Sequence, residues 1–252
     1  SLSAPSGDHW RELALLGVAL LRRRPQVDYG DIRFTSTAGR SLLVKNGTPE
    51  KVLEGFDRGF GVRVLAGGAW GFAASSELTE ESVARTVREA REVARASARR
   101  QPRPVLLGDA DPAVADLRCP PAEDPLAMPL DEQLALLVRV TREMMRTPEV
   151  RVAAGGLTFS RQTRLFASTE GSLIGQEWTL SGGEISATAI AGSEVQVRSY
   201  PNTMGGDHAR QGFEFIRRLD LPAHAPRVAA EAAALLRADP CPAGRTDLVI
   251  ES

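Results

Sequence analysis

Residues Lys45–Ser76, KNGTPEKVLEGFDRGFGVRVLAGGAWGFAASS, decide the fold. The stretch reads as three consecutive antiparallel strands joined by tight glycine turns. Asn46-Gly47 is a strong hairpin signal, because both central positions of a type I′ turn need positive φ. Gly67-Gly68 supplies the same freedom between Val62-Arg63-Val64-Leu65 and Ala69-Trp70-Gly71-Phe72. In the middle strand Phe60, Val62 and Val64 fall on one face, and Gly61, Arg63 and Leu65 on the other.

Upstream, residues 8–24 carry a helical pattern. Asp8 is placed to cap it, and Trp10, Leu13, Ala14, Gly17 and Leu21 form one stripe. Arg22-Arg23-Arg24 suits the negative end of the helix dipole, and Pro25 ends the element. Asp31–Thr35 and Ser41–Lys45 read as two strands around a turn at Ala38-Gly39. Downstream, Thr79 caps a helix whose first turn holds Glu80 and Glu81, with Val83, Val87, Ala90 and Ala94 facing the sheet.

A proline-rich stretch then marks a boundary, read as a semi-rigid linker. The expected organisation is an N-terminal domain over 1–104, the linker over 105–129, a central domain over 130–225, and the start of a further domain over 226–252. The central unit opens with a helix from about Leu130 to Arg146. Strands are expected over Val150–Ser160, Gln162–Ser168, Ser172–Ala191 (bent or bulged at Gly182-Gly183) and Glu194–Tyr200. A loop from Pro201 to Arg210 leads through Leu219-Asp220-Leu221 into a helix ending near Arg237, and a last strand covers Asp247–Glu251. The fold class is α+β: a helix plus antiparallel meander, followed by a second α+β domain with a mostly antiparallel sheet.

Charge is nearly balanced, with 31 basic and 32 acidic residues among 252. That speaks against a nucleic-acid-binding surface, which carries a basic excess or stripe. The longest apolar run, Leu13–Leu21, is too short to span a bilayer, and its arginines follow it rather than precede it, unlike a signal peptide. The expectation is a cytoplasmic protein with no membrane partner. The two cysteines, Cys119 and Cys241, form no CxxC pair, and a disulfide between them is left open.

The run from Asn46 to Ala73 with the helix LTEESVARTVREAREVARA resembles the N-terminal domain of the TldD/PmbA family of metallopeptidases, once described as modulators of DNA gyrase. Asn46, Gly47, Glu54, Gly55, Arg58, Gly59, Gly61, Val62, Arg63, Val64, Gly68, Trp70, Gly71, Phe72 and Ala73 carry the likeness. Tyr29-Gly30-Asp31 resembles the start of the family's first strand, and Ser168-Thr169-Glu170-Gly171 an element of its central domain. Arg210-Gln211-Gly212 and Pro240-Cys241-Pro242 are more similar to the TldD-type branch than to the PmbA-type branch.

The resemblance implies proteolysis of peptides or small unfolded proteins by a dimer, either a homodimer or a heterodimer with a PmbA-type partner. It also implies zinc on a His-Glu-x-x-x-His helix with a distal Cys, the Glu serving as general base. No such motif occurs among the 252 residues, so no catalytic or metal-binding residue is carried over. Because Asp247–Glu251 leads to no turn or cap, the chain is expected to be truncated relative to its family and inactive alone. This part would then shape the substrate channel and the dimer. The alternative is a non-catalytic binding or assembly module.

Among the residues themselves the candidate chemistry is sparse. The three histidines, His9, His208 and His224, have no partner at metal-ligand spacing. His208, beside Asp207 and Arg210 in a glycine-rich loop, is the candidate contact to a peptide substrate; most loop histidines are merely exposed. Gly59-Phe-Gly61 lacks the third glycine of a dinucleotide fingerprint, Gly205-Gly206 lacks a P-loop lysine, and no G-x-S-x-G occurs. Cys241 lies between prolines without a nearby histidine, and Trp70 and Trp178 read as packing anchors.

Overall fold

The computed structural model describes residues 7–202, 206–239, 243–245 and 247–249. Helix α1 (Gly7–Arg22) leads into β1 (Tyr29–Lys45), β2 (Thr48–Ala66) and β3 (Ala69–Ser75), and helix α2 (Glu80–Ala98) follows. The two turns form where glycine and asparagine permit positive φ, at Asn46-Gly47 (50° and 77°) and Gly67-Gly68 (61° and 74°). Thr79 caps α2, its hydroxyl accepting from the Ser82 amide. Then come β4 (Val114–Cys119), α3 (Leu130–Met144), β5 (Val150–Ser168), β6 (Leu173–Ala191), β7 (Glu194–Tyr200), β8 (Asp207–Ala209), α4 (Phe213–Leu219) and α5 (Leu221–Leu235).

The strands form one eight-stranded sheet in the order β3-β2-β1-β5-β6-β4. All its pairings are antiparallel except β4 against β6. The outer edge of β6 is taken by β4, β8 and β7 in succession, at residues 173–178, 181–183 and 185–191.

Several sequence expectations need correction. Ala38-Gly39 is no turn: β1 runs unbroken for 17 residues, and Gly39 pairs with Gly55 on one side and Ser160 on the other. The segments expected as separate strands over Val150–Ser160 and Gln162–Ser168 are one 19-residue strand. Gly182-Gly183 is not bulged, since both residues keep register with Thr158 and Leu157. The segment read as linker contains β4, the loop before Arg210 contains β8, and a short helix occupies 213–219. Asp247–Val249 adopt no regular structure; Gly205, the Pro240-Cys241-Pro242 run and the end of the expected last strand lie outside the described residues.

The misread middles share a physical cause. Two apolar clusters lie on one face of the sheet, at opposite ends of its long strands. Near one end α1 and α2 cover Ile32, Phe34, Phe60, Val62, Val64 and Leu165. Near the other α3, α4 and α5 cover Leu42, Val44, Leu157, Phe159, Ile185 and Ala187. All these strand residues have the alternation that points them to the same side. Between the clusters runs a polar band in which Ala38 pairs with both Phe56 and Arg161. Its residues look like turn chemistry in the sequence, yet their backbones are satisfied by neighbouring strands.

The segment before α3 is bolted to this band. Arg40, with its side chain 10% exposed, donates to the carbonyls of Pro125, Leu126 and Met128, to Gln133 Oε1, and to Glu54. Arg161 pairs with Asp124, and Glu214 accepts the amides of Gly212, Glu123 and Ala122. Burial pushes the Asp124 carboxyl up, but Arg161 and the amides of Leu126 and Ala127 outweigh it and hold it below its ordinary value. A carboxyl lowered on folding adds stability above its unfolded pKa and loses it as pH falls through the folded pKa. The stability gap between wild type and Asp124→Asn is therefore expected to shrink as pH drops from neutral to roughly 3. Denaturant titrations at several pH values would check this, and a gap independent of pH would refute it.

Candidate functional site

Among the described residues no helix covers the opposite face of the sheet. Phe72, Leu53, Val195 and Val197 are exposed there, and Leu117 of β4 adds to it. At one end it carries a polar and aromatic knot. Asp31, buried, receives two hydrogen bonds from Arg63 (2.9 and 2.7 Å) and one from Arg33 (3.0 Å). Arg63 lies over Trp70, and Arg33 over Phe166. Burial first, and the neighbouring Asp31 carboxylate second, push Tyr29 up to about 12. Every charge in this knot has a partner, so it braces the strand starts rather than awaiting a ligand.

The expected substrate contacts lie toward the other end. Asp207 and His208 sit in β8, His208 opposite Gly182 of β6. Asp207 Oδ1 accepts from the His208 amide at 2.8 Å, and the ring's Nε2 lies 3.4 Å from Thr158 Oγ1. With Ser41, Lys51, Thr158 and Glu184, His208 lines a pocket of about 190 Å³. Arg210 is not brought there. Its guanidinium lies 5.5 Å from the ring of Trp178, which Arg164 also covers at 4.8 Å.

Thr158, Lys51 and Glu184 escaped the sequence reading because three different strands contribute them. One signal was present: the glycine pair in β6. A Cβ on Gly182 would fall 2.2 Å from His208 Cδ2 and 2.3 Å from Nε2, so the glycine is what lets the imidazole lie across the sheet. Gly182→Ala is expected to expel the ring and release β8, with amides 207–209 losing exchange protection while the β5–β6 ladder keeps its own. Retained protection at 207–209 would contradict this packing.

The other histidines are engaged elsewhere. His9 Nε2 lies 3.2 Å from the Leu78 carbonyl, and His224 stacks on Tyr200 with ring centres 3.8 Å apart. Among the described residues no group of three or more His, Cys, Asp or Glu could hold a metal ion. No helix among them is long and apolar enough to cross a membrane. A larger cleft of about 570 Å³ beside α1 is lined by Asp8, Arg11, Asp116, Arg118 and Glu177. Its Arg118 is already paired with Asp116.

Comparison with known proteins gives a consistent answer. "PmbA/TldA metallopeptidase domain 1" matches residues 30–94, and "PmbA/TldA metallopeptidase central domain" matches residues 123–238. A metalloprotease of Methanothermobacter thermautotrophicus is 28% identical over 245 residues, covering 94% of this chain and 49% of the relative. One of Synechocystis sp. is 30% identical over 206 residues, covering 79% of this chain and 41% of the relative. The chain thus spans about half the length of the curated relatives it matches. Among solved structures, a candidate modulator of DNA gyrase from Bacteroides thetaiotaomicron superposes with a TM-score of 0.71 at 10% identity, covering 89% of this chain and 49% of the other. TldE from Thermococcus kodakarensis does so at 0.57 and 14% identity, covering 91% and 47%. At such identities these structures establish likeness of fold.

Proposed function

The chain belongs to the PmbA/TldD metallopeptidase family, and from that premise we propose that it forms the N-terminal and central part of a cytoplasmic, TldD-type zinc metallopeptidase acting on peptides or small unfolded proteins. Its two domains line the substrate channel and contribute to a dimer, with a second copy or with a PmbA-type partner. The observation that carries this reading is the one-sided sheet. Helices cover one face, and the other presents apolar side chains beside the His208 pocket.

An extended peptide suits such a surface. Strand addition along the outer side of β7 satisfies the peptide backbone whatever its sequence, with Val195 and Val197 contacting alternate side chains. Beyond the end of β7 the peptide meets β8, where His208 supplies a polar contact; Asp207 holds β8 in place, and Arg210 on Trp178 attracts a carboxylate. Zinc does not fit the described residues, whose three histidines lie apart and lack a shared donor set. No hydrolytic step is therefore assigned to them, and their part is binding and orientation.

The reading predicts that this chain alone binds an unstructured peptide but hydrolyses none, with or without added zinc. A longer chain that includes the part matching the rest of its relatives does both. His208→Ala is expected to weaken peptide binding roughly threefold to tenfold, the range of one hydrogen bond. Zinc-dependent hydrolysis by the 252-residue chain would overturn the proposal. Failure of peptide to slow exchange of any β7 amide would remove the strand-addition step. A longer chain that neither holds zinc nor cuts peptide would leave a binding or assembly module.

A further inference from the structure

Along β6, moving away from β7, the face that no described helix covers changes in character. His208 of β8 lies across from Gly182, Arg210 lies on Trp178, and β4 then pairs with residues 173–178. There a cleft of about 540 Å³ opens, lined by Arg33, Arg164, Phe166, Ile174, Gln176 and Leu117. Strand register sets these side chains next to one another. Arg33 pairs with Phe166 and Phe166 with Ile174, while Gln176 pairs with Arg164 on one side and Leu117 on the other. Phe34 and Leu165, which alternate with them, are buried beneath the helices, so the six share the opposite face.

The floor and the walls of this cleft differ in chemistry. Phe166, Ile174 and Leu117 are apolar, and a hydrocarbon group seated among them gains by leaving water. The walls are cationic. Arg164 donates to the neutral Gln162 at 2.9 Å and lies over Trp178, and neither it nor Arg210 has a carboxylate partner among the described residues. Arg33 bonds to Asp31 through Nε, and that carboxylate is shared with Arg63. Asp57 of β2, an acid on the same face, stands two strands from Arg164's strand.

An apolar hollow with an unanswered guanidinium on its wall suits one kind of ligand, an apolar body that carries a carboxylate. The last residue of a peptide has this form, its carboxylate and its side chain branching from one carbon; a fatty acid shares the chemistry. The peptide end also suits the topology. β7 runs antiparallel to β6 and points toward β8, so a peptide that pairs parallel to β7 carries its C-terminus toward Trp178 and the cleft.

We propose that this cleft receives the C-terminal residue of the peptide, Arg164 binding the carboxylate and Phe166, Ile174 and Leu117 an apolar last side chain. The chain then prefers peptides that end in a free, apolar residue. This rests on the peptide-binding reading and names the end of the substrate that is recognised.

Fluorescence anisotropy of short unstructured peptides, labelled at the N-terminus and differing only at the last residue, tests it. A peptide ending in leucine with a free carboxylate is expected to bind about tenfold tighter than its amide, and several-fold tighter than one ending in serine. Arg164→Gln is expected to bring acid and amide within about twofold of each other. Leu117→Asp, on the exposed edge strand, sets a like charge beside the carboxylate and is expected to turn the preference toward the amide. N-acetyl-leucine should displace the free-acid peptide more effectively than decanoate. Equal binding of acid and amide by wild type overturns the proposal and leaves peptide binding standing, whereas no binding of either overturns both. A preference that survives both substitutions places the carboxylate elsewhere and overturns it too. Stronger displacement by decanoate assigns the cleft to a fatty acid instead. A longer chain that includes the part matching the rest of its relatives is expected to keep the preference; its loss there shows the cleft filled by that part and overturns the assignment.

Discussion

Replacing Gly71 by alanine is expected to destabilise the protein by about 3 kcal/mol or more, as overpacking against immovable neighbours does. Gly71 lies in β3 directly beneath α2. A Cβ there would stand 2.0 Å from the Ala90 carbonyl oxygen, 2.3 Å from the Ala94 nitrogen and 2.9 Å from the Ala94 Cα. All three atoms belong to the helix backbone, so no rotamer change relieves the clash. The helix has to lift, and lifting it uncovers Val83, Val87, Ala90 and Ala94, which are buried against the sheet. For a chain of this size the thermal midpoint should drop by roughly 6–12 °C. Gly55→Ala is the control, because a Cβ at Gly55 meets nothing within 4 Å; its effect should stay within about 0.5 kcal/mol. Equal midpoints for the two variants would refute the close approach of β3 and α2.

Arg40→Met is expected to cost about 3 kcal/mol, by a different route. Methionine keeps much of the stem but removes all the donors. The carbonyls of Pro125, Leu126 and Met128 and the Gln133 side chain then lose the guanidinium that satisfies them in a partly buried region. Gln133, itself buried, still donates to Pro125 at 2.7 Å, which limits the loss. Arg40→Lys should recover only part of it, since one ammonium cannot reach acceptors spread across four residues. Chemical denaturation measures the size of the effect. Faster amide exchange confined at first to residues 125–130 would locate it, whereas a loss below about 1 kcal/mol would mean that the segment is held by its apolar contacts.

Much of the N-terminal half was legible because its signals are local. Asn46-Gly47 and Gly67-Gly68 ask for positive φ, which few other residues supply. The 3.6-residue stripe of Val83, Val87, Ala90 and Ala94 belongs to one helix and is read from that helix alone. The candidate site was legible only at its loop. Asp207 and His208 drew notice through composition, whereas Thr158, Lys51 and Glu184 enter through strand register. Arg210, adjacent in sequence, goes instead to Trp178.

The sequence by itself therefore determined the meander, the Thr79-capped helix, the α+β class and the family, since each rests on short-range backbone preference or on a contiguous run of residues; Asp8, expected as a cap, lies instead inside the first turn of α1. Only the tertiary structure decided that Ser36–Arg40 and Ser160–Arg164 continue strands rather than end them. It also decided that β1 pairs with β5 across more than a hundred intervening residues, and that Gly182 makes room for His208 instead of marking a bulge. A polar stretch is a turn when water satisfies its backbone and a strand when a neighbouring strand does. That neighbour is supplied by a distant part of the chain, so no local pattern can announce it.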